Sequence, residues 1–292
     1  MSKTTITSGA NAAVGRMAGK VALVTGGGNG IGQATCLRFA EEGAAIVVAD
    51  LQQDKAAATA TMIEDGGGQA VSIAIDVSSV ADNEAMAALA VDTFGGLSAL
   101  VTAAGVSHAN YVSGDIEPDI KGIVSIRIDY VDRPGWDFVE ADPGERDRVM
   151  AINLKGTLLS MQSCVARMLE SGAGGTVVTI ASIAAKHPDA GPLAYIASKA
   201  GVWMLTKKSA RMLGPTGIRV NSIGPGFIET HMTAVIDLLP REEHEPGFFA
   251  DLPMGRRYFP LEVANIARFL SNDESSYFTG TILHPDGGYF TD

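Results

Sequence analysis

Short runs that are apolar along their whole length recur through this chain. They lie at residues 21–25 (VALVT), 44–50 (AAIVVAD), 70–76 (AVSIAID), 97–105 (LSALVTAAG), 175–182 (GTVVTIAS), 218–224 (IRVNSIG) and 280–284 (GTILH). Between them, residues 30–42, 52–65, 80–94, 143–170, 193–213 and 261–271 read as helices. A strand apolar on both faces is covered on both faces, and strands separated by helices pair in parallel. The pattern predicts an α/β fold, a doubly wound parallel sheet of about seven strands with helices on both faces.

Two segments break this rhythm. Residues 106–142 are too long for an ordinary strand-to-helix loop, so an insertion over 107–141 is expected after strand four. Within it IVSIRIDYV sets Ile126, Ile128 and Tyr130 against Ser125, Arg127 and Asp129. Period-two alternation predicts an extra strand near 123–131, in a flap over the substrate side. Residues 227–258, rich in Pro, Met and Phe, are expected to form a substrate lid or an interaction surface. Residues 1–18 are small and polar, without the apolar core of a signal peptide, and read as a disordered leader. Residues 19–292 then form a single domain with no internal repeat or linker.

Charge and cysteine content narrow the function classes. At 292 residues the chain can bury its core without disulfides. A net charge of −11 and the lack of a polybasic run argue against nucleic acid or an anionic membrane as the main partner. No run approaches the roughly 18 apolar residues of a membrane span. Cys36 and Cys164 have neither metal-ligand spacing nor a disulfide framework and read as buried small hydrophobes. A reducing cytoplasm is the expected location.

Candidate chemistry begins directly after the first strand, where residues 25–32 read TGGGNGIG. Gly26, Gly30 and Gly32 allow a sharp turn and close approach of backbone to a pyrophosphate, and the helix that follows offers free N–H groups and its positive dipole end. That is a Rossmann-type cofactor turn, in which Asn29 and Ile31 complete the loop. Asp50 ends strand two, 18 residues after Gly32, where a carboxylate accepts the adenosine ribose hydroxyls and repels a 2′-phosphate. Neither Asn29 nor the adjoining Leu51 is basic, so NAD is favoured over NADP. Asp76-Val77 ends strand three on the same edge, where Asp76 either meets the adenine amino group or caps a helix.

The second centre of chemistry lies between Ser182 and Lys199. Tyr195 and Lys199 in YIASK are one helical turn apart and share a face. Free tyrosine titrates near pH 10. A neighbouring ammonium and an oxidised nicotinamide favour the phenolate, so Tyr195 can take an alcohol proton while hydride leaves. Ser182, at the end of strand five, is placed to hydrogen-bond the carbonyl oxygen.

From Lys20 to Phe290 the chain closely resembles the short-chain dehydrogenase/reductase family. The resemblance implies a catalytic tetrad of Asn153 (in MAINLKG), Ser182, Tyr195 and Lys199, in which Asn153 kinks the long helix and holds a proton-relay water and Lys199 also binds the nicotinamide ribose. It further implies that Ala103 and Gly105 contact the cofactor through their backbone, and that Pro225, Gly226, Ile228 and Thr230 border the nicotinamide amide. DGG at 286–288 matches the family's C-terminal signature, and a homotetramer using helices 143–170 and 193–213 is implied. The chain departs from the pattern in two places. TAAG at 102–105 replaces the family's Asn-Asn-Ala-Gly, leaving the Thr102 hydroxyl as the candidate substitute for the first Asn, and 48 positions separate Gly105 from Asn153, about twice the usual span.

The expected function is an NAD-dependent oxidoreductase interconverting a small to medium, cyclic or apolar secondary alcohol and its ketone. The rivals are an NADP-linked 3-oxoacyl thioester reductase and a non-catalytic nucleotide-sensing protein. His187 and His108 are the candidate substrate contacts among the histidines, with Met232, Phe248 and Phe249 as candidate pocket walls. No metal site is expected.

Overall fold

The computed structural model describes residues 15–109, 111, 133, 135–188, 190–233 and 252–289. The strand expected near 123–131, together with Phe248 and Phe249, lies outside the described residues. Seven parallel strands form one sheet: β1 (Val21–Thr25), β2 (Ala45–Asp50), β3 (Gln69–Ala74), β4 (Ala99–Thr102), β5 (Gly175–Ile180), β6 (Ile218–Ile223) and β7 (Ile282–Leu283). Their order is β3-β2-β1-β4-β5-β6-β7. The direction of winding reverses between β1 and β4, and ligands bind outside the strand ends at such a switch point.

The unbroken apolar runs have the expected cause. Ala22 and Val24 of β1, with Ile46 and Val48 of β2, face a core shared with helices α1 (Gly30–Glu41), α2 (Gln53–Asp65) and α7 (Pro260–Ser271). The intervening Leu23, Val47 and Ala49 face a second core against α3 (Val80–Phe94), α5 (Thr157–Ser171) and α6 (Leu193–Leu213). β1 and β2 thus bury both sets of alternating side chains. Cys36 and Cys164 are free and fully buried, one in each core, and burial pushes both thiols well above their usual range.

The helix expected over 143–170 is not a uniform rod. It starts as α4 (Pro143–Met150), where Asp142 caps Gly144 and Glu145 and Pro143 fills the first turn. It widens into a π-helical stretch at Ala151–Gly156 before resuming as α5. The stretch contains Asn153, and such insertions commonly mark functional sites.

Candidate active site

The cleft opens where the carboxyl ends of β1, β2, β3 and β4 meet the amino end of α1. Gly26, Asn29, Gly30, Ile31, Gly32, Asp50, Leu51, Asp76, Val77, Ala103, Gly105 and Thr230 all line it. Glycine is required by contact, not only by flexibility. A Cβ on Gly32 would fall 2.0 Å from the Gly26 carbonyl oxygen, and one on Gly26, at φ +68°, would sit 2.7 Å from Ala104 N. Asn29 caps α1 by accepting from Gly30 N at 2.7 Å. Thr230 leans over this loop, its Cγ2 3.4 Å from where a Gly30 Cβ would lie.

Asp50 is fixed at the far end. Its carboxylate accepts from Gly28 N at 2.9 Å and from Gln52 N at 3.0 Å. Lys55 lies beside it, for a Cβ on Gly28 would be 2.7 Å from Lys55 Cβ and 2.9 Å from Asp50 Oδ2. The first turn of α2 thus roots the Lys55 side chain beside the same loop as Asp50. Asp76 closes a turn, accepting from Ser78 N at 2.8 Å and Ser78 Oγ at 2.7 Å, while Ser79 is the residue that caps α3.

The tetrad residues converge beyond Gly105. A Cβ on Gly105 would be 3.3 Å from Asn153 Oδ1 and 3.5 Å from Lys199 Nζ. Asn153 spans the gap between helix and strand end, accepting from Val106 N and donating to Val106 O and Ser198 Oγ, at 2.9, 2.9 and 3.0 Å. The π-helical stretch aims this side chain at the end of β4 and at α6. Ser182, buried after β5, accepts from Ala184 N at 3.1 Å and shares a hydrogen bond with Tyr195. Lys199 is buried, donates to Ile180 O at 2.9 Å, and holds its ammonium 5.6 Å from the Tyr195 ring centre.

Burial dominates the electrostatics of the chain's own groups here. Burial raises Tyr195 above the usual phenol value, and the Ser182 hydrogen bond opposes this only in part. Burial also lowers Lys199 from 10.5 to about 8. Both follow from one cause, since a low-dielectric pocket disfavours phenolate and ammonium alike.

Among the positions expected at the nicotinamide amide, Pro225 O accepts from Ile183 N at 3.0 Å, and a Cβ on Gly226 would be 2.9 Å from Asp286 Cα. The Ile228 side chain turns into the core and leaves only its backbone for a ligand. The Thr102 hydroxyl is buried without a hydrogen-bond partner among the described residues, so it does not replace the missing asparagine. Thr25 Oγ1 instead accepts from Ala104 N at 3.3 Å. His187 packs on Tyr289, ring centres 5.2 Å apart, and His108 is buried with Nδ1 3.1 Å from Ser107 Oγ. Met232 does line the cleft. So do Tyr111, Arg148, Ile152 and His231, which the sequence reading did not select. For His231 the signal was its place next to Thr230.

Comparison with known proteins agrees with this layout. A family model described as short chain dehydrogenase matches residues 20–129, and one described as Enoyl-(Acyl carrier protein) reductase matches residues 130–290. The 2,5-dichloro-2,5-cyclohexadiene-1,4-diol dehydrogenase of Sphingobium indicum is 36% identical, over 94% of this chain and 97% of the relative. The (-)-isopiperitenol/(-)-carveol dehydrogenase of Mentha piperita is 32% identical, over 95% and 96%. The 3-oxoacyl-[acyl-carrier-protein] reductase of Thermotoga maritima is 33% identical, over 94% and 98%. A short-chain type dehydrogenase/reductase from Mycobacterium marinum superposes with a TM-score of 0.79 at 29% identity, covering 94% and 97% of the two chains.

Proposed function

Since the chain belongs to the short-chain dehydrogenase/reductase family and is an oxidoreductase of alcohols and ketones, we propose that it is an NAD-dependent dehydrogenase of a cyclic secondary alcohol. The observation that carries the reading is the meeting of Ser182, Tyr195, Lys199 and Asn153 at the end of a glycine-walled cleft. Two relatives act, by their names, on ring alcohols. The cleft suits a dinucleotide: the Gly26–Gly32 turn and the amino end of α1 would hold a diphosphate, Asp50 the adenosine ribose, and Lys199 the ribose at the reacting end.

A bound nicotinamide supplies the hydride acceptor and, when oxidised, a positive charge. The chain's own groups handle the proton. Ser182 Oγ hydrogen-bonds the substrate oxygen and fixes its orientation. The Tyr195 hydroxyl exchanges the proton with that same oxygen. Burial by itself keeps Tyr195 protonated, the form that donates to a ketone oxygen. For alcohol oxidation the phenolate needs positive charge nearby, and the Lys199 ammonium provides part of it. Asn153 ties the π-helical stretch to Val106 and so keeps Lys199 and Gly105 in register.

Asp50 supports NAD, because a carboxylate held by two backbone N–H groups cannot turn away from a 2′-phosphate. The insertion over 107–141 and the lid over 227–258 would shape the substrate side, since Tyr111 of the first and Met232 of the second wall the cleft. A homotetramer is supported by Leu158 and Leu169 on α5 and Met204 and Met212 on α6, all exposed. Among the described residues no helix is long and apolar enough to cross a membrane. The two buried free thiols fit a reducing cytoplasm.

Purified protein with NAD and a panel of cyclic secondary alcohols tests the reading, with 3-oxoacyl thioesters and NADPH as the competing arm. NADH formation from ring alcohols is expected. Faster turnover of the thioesters with NADPH would replace the reading with the acyl-reductase one, and no turnover of either would favour a nucleotide sensor.

A further inference from the structure

His231 combines two features. Both ring nitrogens are sealed from solvent, and neither has a hydrogen-bond partner among the described residues. The ring also lies on the wall of the cofactor cleft. Its position there is specific. A second cavity opens on the outer side of the glycine loop, bordered by Gln33, Leu37, Glu229 and Arg257. The residues that border both cavities are Asn29, Gly30, Thr230 and His231. They mark the amino end of α1, where a helix dipole and backbone N–H groups favour an anion. Tyr111 packs against the imidazole, ring centres 6.1 Å apart.

We infer that His231 is a further cofactor-binding residue, its imidazole N–H donating a hydrogen bond to a phosphate oxygen of the dinucleotide diphosphate. The inference rests on the cofactor reading given above. A neutral imidazole carries one N–H donor in either tautomer, so the bond does not require the charged form. Buried polar groups are ordinarily satisfied, and a donor facing an ionised oxygen makes one of the stronger hydrogen bonds available. The diphosphate is the part of the ligand that belongs at the amino end of α1, which separates this role from contact with the nicotinamide ring or the substrate.

Dissociation constants for NADH and for ADP-ribose, which share the diphosphate but not the nicotinamide, test the inference. His231→Phe keeps a flat ring and removes both nitrogens, while His231→Gln keeps an N–H donor. The phenylalanine variant is expected to weaken both ligands about tenfold, or about 1.4 kcal/mol, and the glutamine variant by about threefold or less. Circular dichroism checks folding, and His231→Ala takes the place of His231→Phe should that variant not fold. Unchanged affinity for both ligands overturns the inference. Weakening of NADH alone also overturns it, by placing His231 against the nicotinamide. If the wild-type protein binds neither ligand, the cofactor reading itself fails.

Discussion

The two ends of the cleft are made of different materials. At the glycine-loop end the backbone would do the binding, and side chains matter mostly by being absent. Gly32 passes so close to Gly26 that a single Cβ would have to occupy the space of a carbonyl oxygen. At the tyrosine end the backbone only positions a few side chains, and these are buried polar groups held at some cost. Lys199 spends part of its basicity to sit in a dry pocket, and Asn153 depends on a helix widened by a π-helical stretch. Substitutions at the first end should therefore damage binding and folding together. At the second they should remove chemistry and leave the fold intact, or even relieve it.

The sharpest test of this division is Tyr195→Phe. It deletes one hydroxyl from the side-chain end and nothing from the loop. General acid–base catalysis is typically worth about 10²–10⁴-fold, so kcat should fall within or beyond that range while NADH affinity and melting temperature stay near wild type. Steady-state kinetics beside a fluorescence titration would show it. A variant keeping more than a tenth of kcat would remove Tyr195 from the reaction.

Gly32→Ala is the mirror experiment. One methyl group has to displace the loop, because the clash is with backbone and not with a flexible side chain. NADH affinity should drop by about 100-fold and the melting temperature should fall with it, in line with the costs of overpacking. Normal affinity in a folded Gly32→Ala protein would break the claim that this end is built by close backbone approach.

The same contrast explains what could be read from the sequence. The sheet, its helices and the glycine turn are written in local periodicity and spacing, so runs such as VALVT and TGGGNGIG were sufficient. The tetrad positions were legible because Tyr195 and Lys199 sit on one helical face, Ser182 ends strand five, and the family resemblance located Asn153. What escaped depended on three-dimensional return. Lys55 comes to the glycine loop only through the first turn of α2, and Arg148 and Ile152 line the cleft only because the helix around Asn153 runs beside it. His231 was passed over for His187 and His108 because a lone histidine carries no period. Thr102 was assigned a hydrogen-bonding role by analogy that the packing gives to Thr25. The burial that raises Tyr195 cannot be seen in a YxxxK string.

Cofactor choice is where the loop end does use side chains, and the effect should be smaller. Asp50 would repel a 2′-phosphate, and the ammonium of Lys55, whose side chain is rooted beside the same loop, would offset part of that repulsion. We expect kcat/KM to favour NAD over NADP by at least about tenfold, or about 1.4 kcal/mol. Asp50→Ala should narrow the gap and Lys55→Ala should widen it. Equal efficiency with both cofactors in the wild-type protein would show that Asp50 does not decide the matter.

The smallest effect concerns the stability cost of the tyrosine end. Lys199 has its folded value lowered from 10.5 to about 8 by burial. Above pH 10.5 the amine is neutral whether the chain is folded or not, and the penalty vanishes. Below pH 8 it is charged in both states, and the full penalty applies, on the order of 3 kcal/mol. Lys199→Met removes that penalty and also leaves the Ile180 carbonyl without its donor, which costs about 1–3 kcal/mol. The net gain at neutral pH should be about 1 kcal/mol, a rise of about 2 °C in melting temperature. Its pH dependence is the more telling readout. The advantage of the methionine variant should be largest below pH 8 and should shrink as pH rises towards 10.5, because the lysine then regains stability. Measuring both proteins in a Tyr195→Phe background silences the tyrosine, whose own titration falls in the same range. A constant difference across that window would mean that Lys199 is not held against its charge, and the tyrosine end would be no costlier to fold than the loop.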